Sequence, residues 1–293
     1  MDGLRAAFAP AANMVLHSLT LGDRELLAER NGLEGYIERG STMGVPLLHP
    51  WANRLGGLTY SAAGRDVALN ADSGVFKRDP GGLPIHGAWP TLLRWDVLET
   101  ERDDKAASLL AVLDWDRAHP AFELFPFPHR LEYRARAAAG SIELALALEP
   151  TADVPVPVSF GFHPYLRIPG GARQSAEMTL PVRRALLSND SMLPTGETEP
   201  FESGPRRLGD TEWDHEFSDL DDPARFVLRG GESEISLTFL SGYPFAHVFA
   251  PADGDFVCFE PMTAPTNALV TGAGLSVVAP GGRYEAAFEI AVG

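Results

Sequence analysis

Cysteine is almost absent from this chain of 293 residues. The single cysteine, Cys258, allows no disulfide bond within the chain and no zinc site built from cysteines. It lies in the apolar run 256–259, so we expect it to pack in the core, where free cysteines usually lie. A reducing compartment fits this composition.

Long apolar runs are also missing. No stretch approaches the ~18 uninterrupted apolar residues that a membrane span needs. Residues 1–5 do not start an apolar segment of the kind found in signal peptides. We therefore expect no membrane partner and a cytoplasmic location.

Positive charge is scarce, because 24 Lys and Arg residues face 40 Asp and Glu residues, which gives a formal net charge of −16. This balance argues against nucleic acid or an anionic membrane surface as a partner. The chain has neither a GxGxxG pattern nor a Walker loop, so nucleotide binding is not supported. A Gly-x-Ser-x-Gly elbow is absent too, which argues against a serine hydrolase of that type.

What is present favours a protein made of many short strands. Hydrophobic residues make up 45% of the chain, enough for a sizeable core, and 29 glycines and 24 prolines are spread along it. Alternating segments predict hairpins, whose turns lie at residues 62–65, 102–105, 138–140, 230–231 and 251–254.

The fold expected from this pattern is all-β: one large antiparallel domain over residues 1–293, a two-sheet sandwich with few short helices. Two stacked β domains are the alternative. Residues 194–222, rich in Gly, Pro and acidic side chains, are predicted to form a long loop.

Glu260 is the first candidate catalytic residue. It follows the β-type run 255–259 and precedes a segment with two prolines, so we expect it at the end of a strand, facing a pocket. Next to phenylalanine and proline its carboxylate is poorly solvated, which raises its pKa and makes it a better base near neutral pH.

Two histidines are candidate partners for this carboxylate. Alternation places His163 on the opposite face from Phe160 and Phe162, and Pro164 ends the strand. An imidazole there is easily tuned to exchange a proton near pH 7, and a purely structural histidine is the alternative. His86 lies in a tight loop next to Trp89, a position at which a structural role is the more common one.

Arg54 and Asp214 could bind polar groups of a ligand. Arg54 precedes a Gly-Gly turn and presents a fork of donors, although a surface ion pair is its usual role. Asp214 falls in the predicted long loop, where a solvated carboxylate is the default. The spacing of His49, His86 and His163 does not support a metal site, and no metal is expected.

Together, five segments of this chain resemble the aldose 1-epimerase (galactose mutarotase) family. They occur in the family's order, from about residue 10 to the C-terminus. The segments contain Asn53-Arg54, His86-Gly87, Phe162-His163-Pro164-Tyr165, Trp213-Asp214-His215-Glu216-Phe217 and Glu260-Pro261-Met262-Thr263-Ala264-Pro265-Thr266-Asn267.

The resemblance implies a β-supersandwich and a cofactor-independent isomerase that acts on a monosaccharide. Within it, Glu260 matches the general base and His163 the general acid. His86, Arg54 and Asp214 match residues that hold sugar hydroxyls, and Asn53 is a further hydroxyl contact. The continuation from Pro261 to Asn267 resembles a less-characterised branch, so the sugar is not specified, and neither is the oligomeric state.

Mutarotation requires a base for the anomeric hydroxyl and an acid for the ring oxygen, which we expect on opposite sides of the hemiacetal. Three other functions compete with this one. They are a non-catalytic carbohydrate-binding protein on the same fold, a hexose-6-phosphate 1-epimerase, and a lyase or glycosidase on a related sandwich. The last would need two carboxylates or a Tyr/His pair on either side of a glycosidic bond, and the sequence shows no second carboxylate as well placed as Glu260.

Overall fold

The computed structural model describes residues 3–293. Met1 and Asp2 lie outside the described residues. They belong to residues 1–5, where the sequence predicts no signal peptide. The two α-helices within that range are short: α1 (Gly32–Arg39) and α2 (Ala268–Thr271). No helix of residues 3–293 is long and apolar enough to cross a membrane.

Strands make up most of the described chain. In chain order they are β1 (Leu4–Ala9), β2 (Val15–Leu21), β3 (Arg24–Glu25), β4 (Leu47–Leu48), β5 (Thr59–Ala62), β6 (Arg65–Ala68), β7 (Phe76–Arg78), β8 (Pro84–Ala88), β9 (Asp96–Arg102), β10 (Ala106–Trp115), β11 (His129–Ala138), β12 (Ser141–Pro150) and β13 (Val156–Val158). The second half contains β14 (Gly161–Phe162), β15 (Tyr165–Arg167), β16 (Glu177–Leu180), β17 (Val182–Ser188), β18 (Pro194–Pro200), β19 (Gly204–Arg207), β20 (Trp213–Leu220), β21 (Ala224–Gly230), β22 (Ser233–Ser241), β23 (Phe245–Ala250), β24 (Phe256–Met262), β25 (Ser276–Val278) and β26 (Tyr284–Val292).

Two large antiparallel sheets form the body of the fold. One has nine strands in the order β19-β16-β21-β22-β26-β12-β11-β10-β9. The other has eight, in the order β18-β17-β20-β23-β24-β14-β4, with β15 paired to β24 as well. The predicted all-β class and antiparallel sandwich are confirmed.

Aromatic side chains fill the space between the two sheets. The ring centroids of Phe226 and Phe259 are 5.2 Å apart, and those of Phe162 and Phe288 are 5.1 Å apart. Each pair joins one strand of the nine-stranded sheet to one of the eight-stranded sheet. Side chains alternate between the two faces along a strand. Because Phe259 points into the core, the next residue, Glu260, points to the opposite face of the sheet.

The predicted hairpins are present, with boundaries shifted by one to three residues. The turn at 138–140 joins β11 to β12, where Ala138 pairs with Ser141, and the turn at 251–254 joins β23 to β24. These segments have clear alternation next to turn-forming residues, which is why the sequence located them.

Two expectations about strand boundaries were wrong. Residues 194–222 contain the three strands β18, β19 and β20 rather than one long loop. β18 is the edge of its sheet and is almost wholly exposed, so it carries polar residues on both faces and shows no alternation. Likewise, Glu260 does not end its strand, because β24 continues through Pro261 to Met262, which pairs with Gly161.

Candidate active site

The candidate site lies on the face of the eight-stranded sheet opposite the core. There Glu216, His247 and Glu260 are direct cross-strand partners on β20, β23 and β24. Paired residues on neighbouring antiparallel strands point to the same face. The sheet therefore aligns a carboxylate, an imidazole and a second carboxylate in one row.

Glu260 and His163 are in direct contact. Glu260 Oε1 lies 3.2 Å from His163 Nε2, and the two side chains are 2% and 7% exposed. His163 follows β14, where its backbone N–H donates to Pro46 O over 3.1 Å. The predicted acid and base are therefore neighbours, and not groups on opposite sides of a substrate.

Tyr165 fixes the orientation of the His163 ring. The two rings are stacked, 4.5 Å apart and 1° from parallel. The Tyr165 hydroxyl lies 3.4 Å from His163 Nε2, 2.6 Å from Thr42 Oγ1, and accepts from Arg30 Nη1 over 3.1 Å. A ring held in this way cannot turn away from Glu260 without breaking the stack.

Burial shifts the two pKa values in opposite directions. Desolvation raises the pKa of Glu260 to about 8, and the charges of Asp214 and Glu216 add to the rise, while His247 and Arg54 oppose it. Desolvation also lowers the pKa of His163 well below its usual value. The rise predicted for Glu260 from its apolar neighbours is thus present, and near neutral pH this pair shares one proton.

His86 belongs to the same site. Its ring meets that of His163 edge to face, with centroids 5.5 Å apart. Burial lowers its pKa to about 3, with further lowering by Lys77 and Arg54, so it is a neutral imidazole at pH 7. Its Nδ1 atom is buried and has no hydrogen-bond partner within residues 3–293. It can therefore offer hydrogen bonds to a polar ligand without adding charge.

Asn53 and Arg54 approach the row from the loop that follows β4. Arg54 Nε donates to Asp79 Oδ2 over 2.7 Å, and Arg54 Nη1 donates to Asn53 Oδ1 over 3.0 Å. Asn53 Nδ2 lies 3.4 Å from His247 Nδ1. The guanidinium is thus held by a carboxylate on one side and an amide on the other, which fixes the direction of its remaining N–H groups.

Asp214 lies on β20 and not in a loop. Being two residues before Glu216, it lies on the same face, and its Oδ1 is 2.6 Å from His247 Nε2. Burial alone would raise the pKa of Asp214, but the bond to His247 lowers it below its usual value. Because the segment is rich in acidic residues, the sequence did not indicate that Asp214 lies on a strand and binds a buried histidine.

The structure brings all six predicted site residues into one connected group. His163 contacts Glu260 and His86, and the backbone N–H of His86 donates to Asn53 O. Asn53 in turn joins Arg54 to His247 and so to Asp214. The sequence reading missed His247, Glu216, Tyr165 and Arg30. A signal existed for His247, because it lies in the predicted hairpin around 251–254 whose second strand leads to Glu260. The structure pairs the two residues directly.

Comparison with known proteins supports the same family. The family described as Aldose 1-epimerase matches residues 15–291 of this chain. A search of curated proteins gave no match.

Solved structures show the same fold at low sequence identity. The Slr1438 protein of Synechocystis sp. PCC 6803 is 23% identical, with a TM-score of 0.80 over 99% of this chain and 92% of that one. A galactose mutarotase-like protein from Clostridium acetobutylicum is 15% identical, with a TM-score of 0.82 over 100% and 93% of the two chains. The galactose 1-epimerase of Lactobacillus acidophilus NCFM is 14% identical, with a TM-score of 0.78 over 100% and 92%. The family match over residues 15–291 establishes that this chain belongs to the aldose 1-epimerase family.

Proposed function

We propose that this protein is an aldose 1-epimerase, a cofactor-independent isomerase that interconverts the α and β anomers of a free aldose. The observation that carries the proposal is the 3.2 Å contact between Glu260 Oε1 and His163 Nε2, with oppositely shifted pKa values. Pairs of titratable groups whose environments separate their pKa values are typical of acid/base sites.

The proposed reaction moves two protons. A base removes the proton of the anomeric hydroxyl, the bond between C1 and the ring oxygen breaks as the aldehyde forms, and an acid protonates the ring oxygen. After rotation about C1–C2, the same two groups reverse these steps on the other face of the carbonyl. Both oxygens are bonded to C1, so a base and an acid that are neighbours can serve them. We assign Glu260 as the base and His163 as the acid.

The remaining residues would hold the sugar. Arg54 and Asn53 offer N–H donors, Asp214 offers a carboxylate oxygen, and His86 a neutral ring. Together they match a polyol, whose hydroxyls both donate and accept. Fixing the ring in this way keeps C1 next to the Glu260–His163 pair.

The direct test follows anomer exchange by polarimetry or NMR with freshly dissolved glucose, galactose, xylose and arabinose. We expect acceleration of at least one sugar over buffer. If isothermal titration calorimetry detects binding of a sugar but anomer exchange is not accelerated for any of the four, the result favours the non-catalytic carbohydrate-binding protein.

His163→Gln tests the assigned acid. We expect kcat/KM to fall by roughly 10²–10⁴-fold, the usual contribution of one positioned proton-transfer group. Glu197→Gln, on the exposed edge strand β18, is the control and should keep wild-type activity. Equal activity of the two variants would remove His163 from the mechanism.

A second candidate function is supported by two cations, one near His86 and one bound to Tyr165. Lys77 lines a recess with His86, Thr42 and Trp89, and Arg30 binds the Tyr165 hydroxyl. Desolvation and the charge of Arg30 lower the pKa of Lys77. Within residues 3–293 neither cation has a carboxylate within ion-pair distance. An aldose with a phosphate group, such as a hexose 6-phosphate, would supply the missing negative charge.

Lys77→Met distinguishes the two substrates. If the substrate is phosphorylated, kcat/KM for glucose 6-phosphate should fall at least tenfold while that for glucose changes little. Lys105→Met, in the exposed turn between β9 and β10, is the matched control because the chain has no third lysine. An equal effect of Lys77→Met on both sugars would reject the phosphate-binding role.

A further inference from the structure

His247 is the one site histidine that lies between two buried carboxylates. Its cross-strand partners are Glu216 on one side and Glu260 on the other. The three residues are 3%, 5% and 1% exposed for Glu216, His247 and Glu260. Water therefore contributes little to stabilising charge in this row.

Asp214 determines how the His247 ring is held. The 2.6 Å contact between Asp214 Oδ1 and His247 Nε2 is short, as expected when one partner is charged. The contact between Asn53 Nδ2 and His247 Nδ1 is 3.4 Å, too long for more than a weak hydrogen bond. The Asp214 bond thus keeps a proton on Nε2 and sets the direction of the ring.

Several buried negative charges next to one another are costly without a cation. Arg54 binds Asp79 over 2.7 Å, so its charge is already paired. The imidazole of His247 is the group that the sheet places directly beside Glu260. Burial alone would lower the pKa of His247, but the hydrogen bond that it donates to Asp214 and the charges of Glu260 and Glu216 raise it above its usual value.

We propose that His247 is a positioning residue for the proton transfer: oriented by Asp214, it places a positive charge beside Glu260. That charge favours the carboxylate form of Glu260, so it increases the fraction of molecules in which His163 holds the shared proton and Glu260 is the base. The catalytic consequence rests on the proposed epimerase function, whereas the charge arrangement itself does not.

The charged and titratable groups around His247 come from five parts of the chain. They are Asp214, Glu216 and His215 on β20, Glu260 on β24, His163 after β14, and Arg54 with His86 from the loop after β4 and from β8. Among them the carboxylates of Asp214, Glu216 and Glu260 favour the charged imidazole.

The pH dependence of kcat/KM tests the proposal with a pair of opposite variants. His247→Gln keeps an N–H for Asp214 but removes the positive charge, so both limbs of the profile should move to higher pH, by about one pH unit or more. Glu216→Gln removes a negative charge and should move the limbs to lower pH. Glu197→Gln, on the exposed edge strand β18, is the control and should leave the profile in place.

A carboxyl 13C NMR titration of Glu260 gives a readout that does not need activity. The resonance is assigned by its loss in Glu260→Gln, and its midpoint should rise in His247→Gln. If no sugar is accelerated but this midpoint rises, the epimerase function fails while the charge arrangement stands. A uniform loss of rate at all pH values with an unchanged midpoint would overturn the proposal and make His247 a structural residue.

A second variant covers the case in which His247→Gln does not fold. Asp214→Asn keeps the shape of the side chain but removes the negative charge that binds His247 Nε2. The midpoint of the 15N NMR titration of His247 should therefore shift to lower pH than in the wild type. An unchanged His247 titration in Asp214→Asn would contradict the proposed role of Asp214.

Discussion

At the scale of single residues, burial decides the chemistry. Glu260, His163 and His86 are ordinary side chains whose pKa values are shifted mainly by desolvation, upward for the carboxyl and downward for the two rings. The direction of the Glu260 shift was predictable from its apolar neighbours in the sequence. The contact with His163 was not, because it depends on how β14 and β24 pair.

The proton shared by Glu260 and His163 predicts a bell-shaped pH dependence. The pair is active with one proton, so kcat/KM should fall at low pH, where both groups are protonated, and again above about pH 8, where Glu260 loses its proton. Stopped-flow polarimetry between pH 4 and about pH 10 would measure this. A rate that only rises through this range would contradict the shared proton.

Glu260 should also cost stability at alkaline pH. A carboxyl whose pKa is raised from 4.5 to about 8 on folding contributes stability that is fully present below pH 4.5 and is lost as the pH rises through 8. Glu260→Gln cannot ionise, so it should be more stable than the wild type at alkaline pH, by up to a few kcal/mol.

Thermal unfolding at acidic and alkaline pH checks this. Glu197→Gln, on the exposed strand β18, is the control and should follow the wild type at both pH values. If Glu260→Gln and the wild type differ in melting temperature by the same amount at both pH values, the raised pKa of Glu260 is contradicted.

At the scale of elements, the hairpins were predictable and the polar strands were not. Turn residues next to clear alternation located β11–β12 and β23–β24. β20 was missed because acidic residues, which are uncommon in strands, cover its site face. Asp214 and Glu216 thus lie on a strand despite the low strand propensity of acidic residues, because β20 pairs with β23. Both residues belong to the site.

Gly87 holds β8, and with it His86, against the loop at His49. Its φ is +72°, and an added Cβ would lie 2.2 Å from His49 O. Gly87→Ala should therefore cost several kcal/mol and reduce activity by displacing His86. Gly64→Ala, at φ +77° with open space around it, should cost only about 1 kcal/mol. Urea unfolding of the two variants measures the difference, and equal costs would contradict this view of Gly87.

At the scale of the whole molecule, the sandwich core supports the site from behind. Phe259 packs on Phe226 of the opposite sheet, and the next residue, Glu260, faces the site. The fold class followed from the spread of glycine and proline and from alternation. The pairing order of the two sheets did not, because it depends on contacts between distant segments.

Phe226→Ala tests this support. Loss of a buried phenylalanine should lower the free energy of unfolding by about 3–5 kcal/mol. Because Phe226 lies on the core side of Glu260, kcat should change far less than in Glu260→Gln at a temperature where the variant is folded. A full loss of activity in a folded Phe226→Ala protein would contradict the separation of core and site.

The central claim is that Glu260 is the proton-transfer carboxylate of a mutarotase. Its most direct test is the anomer exchange rate of Glu260→Gln, measured by NMR with the best wild-type sugar and with Glu197→Gln as control. We expect Glu197→Gln to match the wild type and Glu260→Gln to lose roughly 10²–10⁴-fold in rate. A Glu260→Gln protein that keeps more than about a tenth of wild-type turnover would contradict the claim, because an amide cannot act as the base.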